Sequence, residues 1–130
     1  MYVLNILMRN DMASMNAGKG MAQSSHAYGA LKKAIRESIK MQPAYLEWMG
    51  QTPQEFGTTI VRAANQETIA SVLDEIKRWH MPVVAGWVHD PEYPVRDGEV
   101  THLIPVDTCA FVFGEKEDVT HACGWLELYD

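Results

Sequence analysis

Cysteine is scarce in this sequence, and its two cysteines, Cys109 and Cys123, follow no regular spacing. A disulfide framework or a zinc knuckle needs more cysteines at close intervals, so neither is predicted. The expected compartment is therefore a reducing one, with the cytoplasm as the default. Four histidines also lack the spacing of a zinc-binding helix or finger, so no metal is predicted. They are His80, His89, His102 and His121.

Long apolar runs are also missing. No stretch approaches the ~18 residues needed to span a membrane, and the first residues lack the basic segment and cleavage pattern of a signal peptide. Neither membrane insertion nor secretion is expected. The 130 residues show no repeat, low-complexity tract or linker, so residues 1–130 are predicted to form a single domain with one core.

Positive charge is in short supply overall, since the net charge is −6. That balance argues against general nucleic-acid binding. However, residues 1–40 hold six basic and two acidic side chains, a local charge of +4, which leaves −10 on the rest. This asymmetry indicates either a basic binding face or simply the solvent side of a helix. The basic residues are Arg9, Lys19, Lys32, Lys33, Arg36 and Lys40.

Apolar patterning predicts four strands and three helices. The strands are expected at residues 2–8, 58–63, 83–88 and 108–113. Helices are expected from Gly20 to about Lys40, from Pro43 to Gly50, and after the capping residue Asn65. The third helix has the most regular apolar stripe, formed by Ile69, Val72, Leu73, Ile76 and Trp79. Residues 91–104 contain four turn-forming residues and are predicted to be a long loop: Pro91, Pro94, Asp97 and Gly98.

The order of these elements predicts an α/β domain with a four-stranded mixed sheet and helices packed on it. Helical crossovers make the first three strands parallel, whereas the fourth follows the third without a helix and should pair antiparallel. Ligands of such sheets bind beyond the carboxyl ends of the strands. Lys19 follows the first strand and Asp90 the third. We therefore expect their side chains to meet at one edge, within salt-bridge reach or one water apart.

Lys19 lies between Gly18 and Gly20, where a strand gives way to a helix. Main-chain N–H groups, the helix dipole and the ammonium can all point at one anion there. The spacing is not that of a Walker A loop. The alternative is that the glycines only permit a turn and that Lys19 is solvated.

Three further segments give this junction a wider context. The opening reads Arg9-Asn-Asp11-Met, then Met15-Asn-Ala-Gly18-Lys19, then Ala22-Gln23-Ser-Ser25-His26-Ala27. It resembles the opening motif of the type 2 peptidyl-tRNA hydrolases, a strand ending R-x-D-L followed by M-G-K-G-K-I-A-A-Q-C-S-H-A. Met81-Pro82-Val83 through His89-Asp90 is similar to that family's L-P-V-x-x-I-x-D. Val119-Thr120 through Leu128 is similar to its V-T-G-x-L-K-L-L.

The resemblance implies a metal-independent hydrolase without a cofactor, which cleaves the ester between peptide and tRNA and so recycles tRNA. It implies catalytic roles for Lys19 and Asp90, and for a threonine at the start of the fourth strand. It implies tRNA as the partner and allows a homodimer. The substrate-binding candidates are Gly18, Gly20, Gln23, His26, Lys32, Lys33 and Arg36.

The sequence departs from the family pattern at several places. Ala17 replaces the first motif lysine, Gly20 replaces an isoleucine, and the segment before the fourth strand is longer. The family register lands on Cys109, yet Thr108 has the expected chemistry; the two should face opposite sides of the sheet. We favour Thr108. These departures support an alternative function, a catalytically weakened module of the same fold that binds tRNA or phosphate.

Overall fold

A computed structural model describes all residues from Met1 to Asp130. In chain order, strand β1 spans Tyr2–Arg9, helix α1 Ala17–Arg36, helix α2 Gln42–Gly50, strand β2 Thr59–Ala64, helix α3 Gln66–Arg78, strand β3 Val84–Asp97, strand β4 Val100–Glu115, helix α4 Lys116–Cys123 and strand β5 Glu127–Leu128. A short 3₁₀ turn, Ile39–Met41, precedes α2. None of the helices combines the length and apolar character that crossing a membrane requires.

The sheet has five strands, not the predicted four, in the order β3-β4-β1-β2-β5. β1 and β2 are parallel, whereas β4 pairs antiparallel with both β1 and β3. β1, β2 and β3 therefore run in the same direction, as expected, but β4 lies between β3 and the other two. The fifth strand escaped prediction because it has only two residues, both exposed, too few for an alternating pattern.

The segment 91–104 is not a loop. It is a β-hairpin in which β3 and β4 continue beyond the central sheet, and only Gly98 and Glu99 lie between the paired ends Asp97 and Val100. Gly98 takes the positive φ of 61° that this tight turn requires. Pro91 and Pro94 fit because β3 is an edge strand, whose outer N–H groups have no partner to lose. We call residues 91–106 the hairpin arm.

Helices cover both faces of the sheet and divide the core in two. The larger cluster lies under α1 and α2, where Trp48 is fully buried with its ring 5.4 Å from that of Phe113. The smaller cluster lies under α3 and α4. Two apolar residues at the ends of predicted helices lie outside these cores. Ile39, inside the helix predicted to reach Lys40, is 83% exposed because α1 ends at Arg36, and Trp79, the last residue of the predicted stripe, is 68% exposed because it follows the last turn of α3.

Candidate active site

The candidate site lies at the edge where β1 ends and α1 begins. Asn16 caps α1 by accepting a hydrogen bond from the Lys19 N–H at 2.9 Å, which places Lys19 in the first turn. Because β3 runs in the same direction as β1, Asp90 lies toward the same edge. Asp90 does not follow β3 as predicted, because β3 continues to Asp97. It nevertheless lies beyond the row in which Met8 of β1 and Val88 of β3 both pair with Cys109, at the edge where ligands of α/β sheets bind.

The Lys19 ammonium is held by main-chain oxygens. Nζ donates to the Ser14 carbonyl at 3.0 Å and to the Pro94 carbonyl at 2.7 Å, and it lies 5.0 Å from the centre of the Tyr93 ring. Lys19 forms no ion pair with Asp90. The lysine thus fastens the hairpin arm to the loop before α1. With two of its three N–H donors used, one remains for a substrate oxygen.

Gln23 joins the two other catalytic candidates. Its side-chain amide donates to Asp90 Oδ2 at 2.8 Å, and its carbonyl oxygen accepts from Thr108 Oγ1 at 2.6 Å. Asp90 Oδ1 also accepts the Glu92 N–H at 2.9 Å. Gln23 is 2% exposed and Thr108 is 0% exposed, so only Asp90 reaches solvent from this relay. Gln23, a candidate for substrate binding, is therefore placed to position Asp90.

A β-bulge explains why Thr108 belongs to this relay. Val88 pairs with Cys109 and His89 with Asp107, so Thr108 is an extra residue in β4. The expected alternation fails there: Thr108 Oγ1 contacts the Gln23 side chain, and Cys109 Sγ contacts the Gln23 main-chain oxygen at 3.7 Å. Both side chains face α1, contrary to the prediction that they would face opposite sides.

Cys109 is poorly suited to chemistry. Its thiol is fully buried, and this burial raises the pKa of Cys109 to about 12, against a smaller opposing effect of the hydrogen bond from Thr108. A thiol that stays protonated at neutral pH is a weak nucleophile. Of the two candidates for the third catalytic position, Thr108 is the one connected to Asp90.

The Asp90 carboxyl group remains ionised under most conditions. Its partial burial acts to raise the pKa, but hydrogen bonds from Gln23 and from the Glu92 N–H, with attraction from His26 and His89, outweigh it. The pKa of Asp90 therefore lies below its usual value. An anion at this position can orient a water molecule or a hydroxyl group but is a weak base.

A cleft of about 380 Å³ runs between α1 and the edge strand β3. Ser25 and His26 line it from α1, and His89 and Asp90 line it from β3. His26 is exposed, whereas Gly20 is buried beside the Tyr129 ring, where a Cβ would come within 3.4 Å of the Tyr129 hydroxyl oxygen. Among the substrate-binding candidates, His26 therefore lines the cleft and Gly20 permits close packing.

The basic residues of the N-terminal region separate into two groups. Lys32, Lys33 and Arg36 are exposed on α1 and form no ion pair. Arg9 is different: its side chain is 11% exposed, and Nε and Nη2 both donate to the Asp11 carboxylate, at 2.9 and 3.1 Å. Arg9 is thus committed to a structural contact and does not contribute to a basic face.

A comparison with protein-family models gives one match, to the family described as Peptidyl-tRNA hydrolase PTH2, over residues 2–129. The chain belongs to this family. Among proteins of curated function, none matches the chain in sequence. The match covers almost the whole chain.

In this member of the peptidyl-tRNA hydrolase PTH2 family, three site residues were missed by the sequence analysis. Tyr93 is fully buried, and its hydroxyl oxygen lies 3.3 Å from Ser14 Oγ; Pro94 supplies the carbonyl that binds Lys19. Tyr93 and Pro94 belong to the segment 91–104 that was predicted to be a loop, and Ser14 lies between the predicted first strand and first helix. The signal available in the sequence was Tyr93, a large aromatic residue between Pro91 and Pro94. An exposed loop would leave its ring in water, so a tyrosine at this position indicates a segment that packs against the protein.

Asp11 offers a test of the electrostatics beside the site. The hydrogen bonds from Arg9 hold the pKa of Asp11 below its usual value, so the folded state favours the ionised carboxylate. Its stabilising effect is complete above the unfolded-state pKa and disappears as pH falls through the folded-state pKa. We expect Asp11→Asn to lower the free energy of unfolding by about 1 kcal/mol or less at neutral pH, and not at all at strongly acidic pH.

Urea unfolding of both proteins from neutral to strongly acidic pH measures this difference. Asp74→Asn is the matched control, because Asp74 is exposed and forms no ion pair. This substitution changes the net charge by the same amount as Asp11→Asn. A stability difference between Asp11→Asn and wild type that persists at the acidic end would contradict the assignment.

Proposed function

We propose that the protein hydrolyses the ester bond between the peptide and the terminal ribose of tRNA in peptidyl-tRNA, in the cytoplasm, and so recycles tRNA. The observation that carries the proposal is the buried relay from Thr108 through Gln23 to Asp90, which ends at the cleft between α1 and β3. Lys19 does not line this cleft, but its ammonium binds the carbonyl of Pro94, four residues after Asp90 in β3. The membership of the peptidyl-tRNA hydrolase PTH2 family supports the same substrate.

Each group supplies one requirement of ester hydrolysis. The Lys19 ammonium stabilises the oxyanion of the tetrahedral intermediate or holds a phosphate of the tRNA end. Asp90 orients the attacking water, and Gln23 and Thr108 fix the direction of the Asp90 carboxylate. No metal or cofactor enters the proposed reaction.

The decisive experiment measures peptide release from an N-blocked aminoacyl-tRNA by the wild-type protein. Turnover above the spontaneous rate of ester hydrolysis is expected. Hydrolysis no faster than that of the heat-denatured protein would reject the proposal. Binding of the labelled tRNA, measured in the same preparations, separates loss of catalysis from loss of recognition.

One observation favours the alternative, a binding module without hydrolysis. The Lys19 ammonium already donates to two carbonyl oxygens, so less of its charge is available to a developing oxyanion. A protein that binds peptidyl-tRNA tightly but releases no peptide would establish this alternative. Under either function, the exposed side of α1 is the proposed contact with tRNA phosphates.

The contribution of that basic side can be tested by reversing two charges. Lys32→Glu combined with Lys33→Glu is expected to weaken tRNA binding severalfold or more at low salt and to flatten its dependence on salt, because fewer counterions are released from the phosphates. The matched control is Lys77→Glu with Arg78→Glu, the same charge change at the end of α3. If both pairs weaken binding equally, only net charge matters and α1 is not the contact face.

A further inference from the structure

Within the relay only the Asp90 carboxylate reaches solvent, and a carboxylate with a lowered pKa is a weak general base. Thr108 and Gln23 are buried, so neither contacts a water molecule in the cleft. Lys19 is a cation with its donors directed at carbonyl oxygens, and Asp90 is a weak base because its pKa is lowered. Efficient general-base catalysis needs a group that titrates near the working pH, which in proteins is most often histidine.

One histidine, His89, directly precedes Asp90 in β3. Its Nδ1 lies 2.9 Å from Oδ1 of Asp107. Asp107 is the residue of β4 that pairs with His89, next to the β-bulge at Thr108. A carboxylate at Nδ1 favours the tautomer with the proton on Nδ1, which leaves the Nε2 lone pair free to accept a proton. The His89 side chain is 59% exposed, so water and substrate can reach it.

Arg9, the last residue of β1, helps to fix the position of the His89–Asp107 pair. Arg9 Nη1 donates to the main-chain oxygen of Asp107 at 3.1 Å, while the rest of the guanidinium binds Asp11. Asp107 also directly precedes Thr108, so the bulge that brings Thr108 to Gln23 sets the place of Asp107 as well. The His89–Asp107 pair and the Asp90 relay thus share one structural origin.

Both His89 and Asp90 line the cleft between α1 and β3. Consecutive residues of a strand point to opposite faces of a sheet, which would normally separate them. Here β3 is the edge strand, so no further strand lies beyond it, and His89 is close enough to the Asp90 carboxyl group to help lower the pKa of Asp90. The charged groups around His89 are Asp107 on β4, Asp90 on β3, the Arg9–Asp11 pair after β1 and, across the cleft, His26 on α1.

We propose that His89 is the general base that activates the hydrolytic water and that Asp107 is the residue that positions it. The inference rests on the proposed function. His89 Nε2 takes a proton from water as the water oxygen bonds to the ester carbonyl carbon. The tetrahedral intermediate then breaks its bond to the ribose oxygen, which receives that proton from the imidazolium. The products are the free peptide acid and tRNA with a ribose hydroxyl.

Two other histidines serve as comparisons for His89. His102 lies on the hairpin arm, is similarly exposed and pairs with Asp97 at 3.7 Å, but it does not line the cleft. His26 lines the cleft but has no carboxylate hydrogen-bonded to its ring, so its tautomer is not fixed. Only His89 combines a fixed tautomer with a place beside Asp90.

The test measures kcat and KM for peptidyl-tRNA hydrolysis across acidic to mildly alkaline pH in three glutamine variants. His89→Gln is expected to lower kcat on the order of a hundredfold. It should leave KM nearly unchanged and abolish the fall in kcat that protonation of the base causes at acidic pH. His102→Gln should match wild type, and His26→Gln should change KM while kcat keeps its pH dependence.

The variant Asp107→Asn allows a second test, with a readout that would not change if Asp107 had only a structural role. In the wild type, ¹⁵N spectra of the histidine rings should show neutral His89 with its proton on Nδ1, and the variant should lose this preference. The variant should also lower kcat while its urea unfolding midpoint stays close to that of wild type, because the Arg9 contact uses the main chain of Asp107.

The outcomes separate this inference from the function on which it rests. A wild type that hydrolyses peptidyl-tRNA, together with a His89→Gln variant that is equally active, overturns the role of His89 and leaves the proposed function intact. Loss of the pH dependence in His26→Gln instead would assign the base to α1. A wild type without hydrolysis overturns both proposals.

Discussion

Lys19→Ala is expected to lower the turnover of peptidyl-tRNA on the order of a hundredfold, the usual cost of losing one preorganised group that stabilises an oxyanion. The loss should appear in kcat more than in KM, since the charge on the ester oxygen develops only in the transition state. Substrate hydrolysis under saturating and limiting peptidyl-tRNA separates the two constants.

Lys19 also fastens the hairpin arm, so its removal needs a control for structure. Lys19→Met keeps the aliphatic chain beside Tyr93 but has no charge and no donor for the Pro94 carbonyl. We expect it to be as inactive as the alanine variant, whereas Lys19→Arg should retain part of the activity through its positive charge. An active methionine variant would show that packing, and not charge, is what the lysine contributes.

Gln23→Leu is expected to damage both stability and catalysis. The change leaves the buried Thr108 hydroxyl without its acceptor, which costs about 1–3 kcal/mol of unfolding free energy. It also removes the amide that directs Asp90, so turnover should fall although Asp90 itself is intact. Urea unfolding and peptidyl-tRNA hydrolysis, measured on the same preparation, follow the two effects.

Combining Gln23→Leu with Thr108→Val separates these effects. The double variant removes both members of the buried hydrogen bond, so it should recover much of the stability lost by Gln23→Leu alone. Activity should not recover, because Asp90 still lacks its partner. Strictly additive losses of stability would contradict the direct bond between Gln23 and Thr108. Cys109→Ala is the neighbouring control: its thiol contacts Thr108 but neither Asp90 nor the Gln23 side chain, so its loss should affect stability much more than turnover.

Much of the fold follows from local signals in the sequence. The Asn65 cap, the proline at the start of α2 and the apolar runs of β1 and β2 predicted their elements within a few residues, because each is decided by neighbouring residues. The shared edge of Lys19 and Asp90 followed from strand direction alone. This direction was predicted correctly, as was the antiparallel pairing of β3 with β4.

The unpredicted features depend on contacts between distant residues. Judged from neighbouring residues alone, Pro91 and Pro94 predict a turn. They are compatible with a strand only where that strand lies at the edge of a sheet. Alternation predicted that Thr108 and Cys109 face opposite sides of the sheet, which is wrong because a bulge shows itself only in the pairing of two strands. The partner of Lys19 is a carbonyl oxygen, and every residue has one, so no residue type could have revealed it.

The hairpin contains a second irregularity, between Asp90 and Tyr93, where β3 has the extra residue instead of β4. Each single-residue insertion shifts the alternation of side chains in one strand relative to its partner, so that the following side chains change faces. Because there is one insertion in each strand, the two shifts cancel. Tyr93 can therefore face α1 although it lies five positions after Val88, which faces α1 as well. Deleting either extra residue alone would rotate one strand of the arm against the other. Only a deletion of both preserves the pairing, and backbone amide chemical shifts of the arm would distinguish the two cases.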